Sequence, residues 1–142
     1  MPVYNSSYAH GVDEKRRLKI PAKWRGPKAF TLVLWPYSPG GACLRVLPPA
    51  QATNMLRDIE AMPNGEQKTM LKRIIGRDSE QVTLDGAGRM LLPERMAREA
   101  GITDQAVLVG LLDRFEIYSP ERSNKVKEAD SVMAREALKL IG

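Results

Sequence analysis

Apolar and polar positions along this chain predict short strands first, with helices between and after them. Tyr8, His10 and Val12 alternate with small residues, and Val82 and Leu84 with polar ones, the two-residue period of half-buried strands. Asp13 and Asp85 follow, where a short carboxylate accepts backbone N–H bonds and opens a tight turn; Gly86 and Gly88 permit positive φ in the second turn. Beyond each turn, Leu18 and Ile20 oppose Arg17 and Lys19, and Met90 and Leu92 oppose Arg89 and Leu91. Each hairpin therefore has an apolar face for a core and an arginine at its tip facing away. Continuous apolar runs at 30–35 and 106–109 predict buried strands, returning at 44–47 and 115–118 after turn-rich segments.

Pro21 and Pro93 suit the first turn of short helices, the second running 94–100 and ending at Gly101, a residue fitted to a left-handed helix end. A helix over 49–62 carries Ala52, Met55, Leu56 and Ile59 on one stripe; Asn64-Gly65 breaks it, and 66–75 carries Met70, Leu71, Ile74 and Ile75. Ser119-Pro120-Glu121 reads as a cap, a first helical proline and an acid in the first turn. The helix it opens bears Val126, Ala129, Met133, Ala137 and Leu140, a stripe for core or subunit contact.

The chain repeats itself. Residues 12–23 align without a gap on 84–95, with Asp13 and Asp85, Arg17 and Arg89, and Pro21 and Pro93 identical, 72 residues apart. Residues 44–49 match 115–120 at a spacing of 71, so two landmarks recur in nearly the same register. The chain reads as two copies of one small unit.

Composition narrows the function. The 142 residues, 43% of them apolar, suit a globular chain that buries roughly two-thirds of its unfolded surface. Lys and Arg number 22 against 17 Asp and Glu, a net +5. Lys15, Arg16, Arg17, Lys19, Lys23, Arg25 and Lys28 face only Asp13 and Glu14 in the window 13–28, which alone nets +5. Such a field attracts phosphate backbones through counterion release, although charge alone slightly favours a solvated face that keeps the chain soluble. A lone Cys43 excludes an internal disulfide framework and fits a reducing compartment. Isolated His10 and Cys43 leave no cluster for a metal, and the expectation is no metal and no cofactor. His10, Cys43, Trp24 and Trp35 read as packing residues. The 30–35 run is too short to cross a bilayer, and the first residues lack the pattern of a secretory signal, so the reading is an intracellular chain that does not enter membranes. Asp13 and Asp85 form an acid/base pair only if the two units bring them together; no nucleophile–base pairing or phosphate-cradling glycine loop accompanies them, and the expectation is not an enzyme.

The paired Asp13-x-x-x-Arg17 and Asp85-x-x-x-Arg89, each followed by an apolar strand and a proline, resemble the MraZ family of two tandem SpoVT/AbrB-type units. Tyr4-x-Ser6-x-Tyr8-x-His10 and Phe115-Glu-Ile-Tyr-Ser-Pro-Glu-Arg122 extend the resemblance over most of residues 4–122. It implies an α+β fold of two swapped-hairpin AbrB-like β-barrel units forming an intrachain pseudo-dimer with flanking helices: units at 7–54 and 79–122, a helical connector at 55–78, and a C-terminal helix at 123–142. It further implies a transcriptional regulator, cytoplasmic and nucleoid-associated, that forms homo-oligomeric rings. Its implied partner is double-stranded DNA, at short direct repeats in the promoter of its own cell-division and cell-wall operon. The resemblance maps DNA contact to Arg17, Lys15 and Arg89. Lys15, Arg16, Lys19 and Lys23 are expected to hold phosphates and position the tip. Arg16 stands where the family carries glycine, and Ser123 where it carries an aromatic residue. Two duller readings stand beside this one: the arginines pair with Asp13 and Asp85 only to fix the hairpins, or the chain is a homo-oligomeric scaffold or antitoxin-like module that binds protein.

Overall fold

Every apolar run becomes a strand, and every strand pair is antiparallel. The computed structural model describes residues 2–142. In order along the chain come β1 (Ser7–Gly11), β2 (Arg17–Lys19), a 3₁₀ turn (Ala22–Trp24), β3 (Ala29–Trp35), β4 (Cys43–Leu47), α1 (Pro49–Glu60) and α2 (Glu66–Arg77). The second half repeats the strands as β5 (Ser79–Thr83), β6 (Arg89–Leu91), then α3 (Glu94–Glu99), β7 (Gln105–Gly110), β8 (Phe115–Tyr118) and α4 (Pro120–Leu138). The fold is α+β, with a six-stranded sheet in the order β1-β7-β8-β4-β3-β5 and a separate ribbon of β2 paired with β6.

That order reads the same from either end when the strands of one half are exchanged for those of the other. Each half lends its first strand to the other half's hairpin: β1 pairs with β7, and β5 with β3. At the centre β4 meets β8, with Leu44 opposite Ile117, Arg45 opposite Glu116 and Val46 opposite Phe115. Positions 45 and 116 are equivalent in the repeat, so this position faces its own counterpart. Identical residues here would set like charges directly across the strands, which destabilises a sheet. One chain carrying both copies places Arg45 Nε 3.0 Å from Glu116 Oε2 instead.

The main core lies between one face of the sheet and the β2–β6 ribbon. Leu18 and Ile20 from one copy and Met90 and Leu92 from the other are fully buried there. Trp24 ends the 3₁₀ turn at its centre, with ring centroids 4.8 Å from Phe115 and 5.8 Å from Tyr4. The packing reading of Trp24 is therefore correct. On the sheet's other face Cys43, Trp35, Arg45, Glu116 and Tyr118 form a polar knot. Glu116, only 6% exposed, accepts the Tyr118 hydroxyl at 2.6 Å, and the Arg45 guanidinium stacks 3.6 Å over Trp35. Burial, aided by the Glu116 charge, pushes the Cys43 thiol up to about 12, so Cys43 is an inert core residue. His10 stacks on Tyr8 along β1.

Three expectations change. Pro21 and Pro93 precede the first helical residue instead of occupying it: their ψ of 137° is extended, so they end the ribbon strands and turn the chain into the helix. Gly101, at φ 70°, does end the α3 segment left-handed. The stripes of α1 and α2 are only partly covered, with Ile59 buried but Leu56, Met70 and Ile74 exposed. On α4 the cap is as expected, Ser119 Oγ accepting from Arg122 N at 3.2 Å. Arg122 pins the first turn by donating to the carbonyls of Ala42 and Glu99, both at 2.9 Å. Val126 in the second turn is still half-buried; from Lys127 onwards every residue is exposed, Met133 in the helix and Leu140 beyond it included.

The central pair gives a direct check on the pairing. Arg45→Glu opposes two carboxylates there and costs up to about 3–5 kcal/mol, the range for breaking a buried ion pair. Adding Glu116→Arg recovers most of that loss in chemical denaturation. A double variant no better than the single one contradicts the register.

Candidate nucleic-acid interface

Both hairpins are closed by the same set of bonds. Asp13 Oδ1 accepts from the backbone N–H of Lys15 at 2.9 Å and of Arg17 at 2.8 Å, while Oδ2 accepts from Arg17 Nε at 2.7 Å. Asp85 repeats this with Ala87 N and Arg89 N, both at 2.9 Å, and Arg89 Nε at 2.8 Å. The backbone matches too: Arg16 N donates to Asp13 O and Gly88 N to Asp85 O, both at 2.9 Å. The residue that completes each turn is left-handed, Arg16 at φ 61° and Gly88 at φ 77°. Arg16 accepts a strain on the order of 1 kcal/mol that glycine avoids. The turn is unchanged by the substitution.

The two turns then lock onto each other. Leu92 N donates to Arg16 O at 2.9 Å, and Ile20 N to Gly88 O at 3.0 Å. In the ribbon Arg17 faces Leu91, Leu18 faces Met90 and Lys19 faces Arg89. Because side chains alternate, Leu18 and Met90 enter the core while Arg17, Lys19, Arg89 and Leu91 share the outward face.

The structure brings Arg17, Arg89 and Lys19 together on that face, with Lys15 exposed at the first turn. Arg17 and Arg89 are each about one-third exposed and donate to their aspartates through Nε. Among the described residues, their terminal nitrogens make no hydrogen bond, which leaves two nitrogens with four N–H donors on each arginine for a ligand. Arg16 is half-buried, its Nε donating to Leu92 O at 3.1 Å. Lys23 points elsewhere: its Nζ donates to Asn5 Oδ1 at 3.0 Å and lies 5.5 Å over the Tyr8 ring. Asp13 and Asp85 sit in different turns, each committed to its own backbone and arginine.

Two residues on or beside this face were not singled out from the sequence. Leu91 is 52% exposed in the ribbon, a large apolar side chain among cations. Its outward position was legible in the strand alternation, but its meaning was not. Arg25 packs against the second turn, donating from Nε to Ile20 O at 2.7 Å, a contact no sequence period reveals.

The backbone N–H of Arg17 is the chief cause holding the Asp13 carboxyl below the usual carboxylate range, and Arg89 N–H does the same for Asp85. Both carboxylates are charged at neutral pH and offset the arginines they hold. The surplus positive field thus comes from Lys15, Arg16, Lys19 and their basic neighbours, while Arg17 and Arg89 supply oriented donors. Among the described residues, no group of three His, Cys, Asp or Glu side chains is placed to hold a metal ion, and no helix is long and apolar enough to cross a membrane.

Fold and surface define a class: an α+β chain in which β2 and β6 meet in one basic ribbon tipped by carboxylate-held arginines. Comparison with known proteins agrees. A family model described as "MraZ protein, putative antitoxin-like" matches residues 76–139. The protein named Transcriptional regulator MraZ from Rickettsia rickettsii (strain Sheila Smith) is 32% identical over 140 residues, which cover 96% of this chain and 94% of the relative. That of Roseiflexus castenholzii (strain DSM 13941 / HLO8) is 33% identical over 129 residues, 89% of this chain and 88% of the relative. The chain belongs to the MraZ family.

The depressed aspartates fix a pH dependence. A carboxyl whose folded pKa lies below its unfolded value, about 3.9, contributes fully above that pH and loses its contribution as pH falls through the folded value. The Asp13→Asn, Asp85→Asn double variant is accordingly expected to melt below the wild type at pH 7, with the gap closing as pH falls below the unfolded value. A gap that stays constant across that range would show that the two carboxylates do not act in this way.

Proposed function

We propose that this chain is a sequence-specific DNA-binding transcriptional regulator acting on short direct repeats in the promoter of its own cell-division and cell-wall operon. The observation that carries the reading is the pair of arginines, Arg17 and Arg89, each oriented by an aspartate with its terminal nitrogens free, on one two-stranded ribbon. A two-stranded ribbon fits the major groove, where an arginine pairs with guanine O6 and N7. An exposed leucine such as Leu91 suits a thymine methyl group. Lys15, Arg16 and Lys19 contact phosphates and position the tip without reading sequence. The palindromic strand order supports two tandem SpoVT/AbrB-type units, at 7–54 and 79–122, folded as an intrachain pseudo-dimer of swapped hairpins, with 55–78 a helical connector and 123–142 a C-terminal helix. The name carried by the relatives supports the regulatory role, and hence a cytoplasmic, nucleoid-associated place for a non-enzymatic protein.

One ribbon grips DNA weakly, so the protein works as a homo-oligomeric ring that presents several ribbons to repeated sites. Exposed Met133, Leu140 and Ile141 on and after α4 supply apolar surface for contacts between copies. The same surface, with the family model's description as "putative antitoxin-like", favours the second reading, a scaffold or antitoxin-like module binding protein through its helices.

Arg17→Ala and Arg89→Ala are each expected to cost about 1–3 kcal/mol per lost base contact on the DNA upstream of the gene, and to flatten its preference over other duplexes. Competition binding reads both quantities. Unchanged affinity and preference in both variants refutes the assignment.

A further inference from the structure

The two hairpins carry the same bonds but not the same side chains. Where the first turn has Arg16, the second has Gly88, and so no cation of its own at that position. The space beside Gly88 is nevertheless filled. A Cβ built on Gly88 would fall 2.4 Å from both Cζ and Nε of Arg25 and 2.6 Å from its first terminal nitrogen. The Arg25 guanidinium occupies the place that a side chain at 88 would enter.

The match extends to the hydrogen bond. Arg16 Nε donates to Leu92 O at 3.1 Å, and Arg25 Nε donates to Ile20 O at 2.7 Å. Ile20 and Leu92 are equivalent residues of the repeat, 72 apart. Each crossing of the ribbon therefore has one guanidinium on the same carbonyl. In one case it grows from the turn itself, and in the other it reaches over from the end of the 3₁₀ turn of the opposite half. Among the described residues, the terminal nitrogens of Arg16 and Arg25 make no hydrogen bond.

We propose that Arg25 is the second hairpin's phosphate-binding cation, standing in for the arginine that Gly88 lacks, so that Arg16 and Arg25 flank Arg17 and Arg89 as a matched pair of backbone contacts. Gly88 then serves two ends: it takes the left-handed backbone, and it leaves room for Arg25. The excess charge of residues 13–28 is shared between both hairpins and does not belong to the first alone. The inference rests on the DNA-binding reading, and it assigns Arg25 a role in affinity, not in base choice.

The test uses the full chain, the duplex upstream of the gene and a shuffled duplex, over a salt series, with thermal melting of each variant. Arg25→Ala is expected to weaken binding to both duplexes alike and to lower the log–log salt slope by about 0.9 per engaged ribbon. Arg25→Gln can still donate to Ile20 O through its side-chain amide, so it keeps the wild-type melting temperature yet shows the same reduced slope. Arg25→Ala with Gly88→Arg, which copies the first hairpin, regains the slope. Three results overturn the proposal: a wild-type slope in Arg25→Ala; a wild-type slope in Arg25→Gln, which leaves Arg25 only a propping role; or no recovery in a double variant that melts normally. The first two leave the DNA-binding reading intact when the wild type binds steeply. Absence of salt-dependent binding by the wild type removes both.

Discussion

Two carboxylates, Asp13 and Asp85, shape the surface on which this fold turns. Each gathers two backbone N–H groups and one guanidinium Nε, closing a turn that ends on a left-handed residue. The closed turn aims the carbonyls of Arg16 and Gly88 at Leu92 and Ile20 of the opposite half, and that exchange aligns β2 with β6. Alignment then carries Leu18, Ile20, Met90 and Leu92 into the core together. The bonds that close the turns also orient Arg17 and Arg89 outwards. Structure and proposed recognition thus share one set of contacts, and a change at either aspartate alters both.

Carrying both copies in one chain adds freedom at positions that face their own counterparts. Arg45 and Glu116 use it to turn a repulsive self-pairing into an ion pair beside Trp35 and Tyr118. Arg16 and Gly88 use it differently. One turn keeps its own side chain, while the other makes room for Arg25 from the far half. The ribbon remains matched in chemistry although its two sequences have diverged.

The repeat, the paired Asp-x-x-x-Arg spacing and the alternation in 17–20 and 89–92 made the strands and the outward arginines legible, because each depends on residues close in sequence. The pairing of β4 with β8, and the loan of β1 and β5, depend on how two copies meet, and no local period encodes that. Pro21 and Pro93 were displaced by one position because proline tolerates either an extended ψ or a helical one, and the strand end chose the former. The stripe on α4 was visible, but its periodicity could not say that every residue after Val126 is exposed. Lys23 counted in the basic window yet bonds to Asn5, and Arg25 counted only as charge. Both assignments required the fold.

The central claim is that an arginine-tipped ribbon binds DNA by sequence. The most direct measurement is the binding of the unmodified protein to DNA upstream of its own gene, against a shuffled duplex, across a salt series. The account predicts affinity that falls linearly on a log–log plot of binding against salt, with clear preference for the native sequence. Binding without preference would contradict sequence reading, and no binding at modest salt would contradict the claim as a whole.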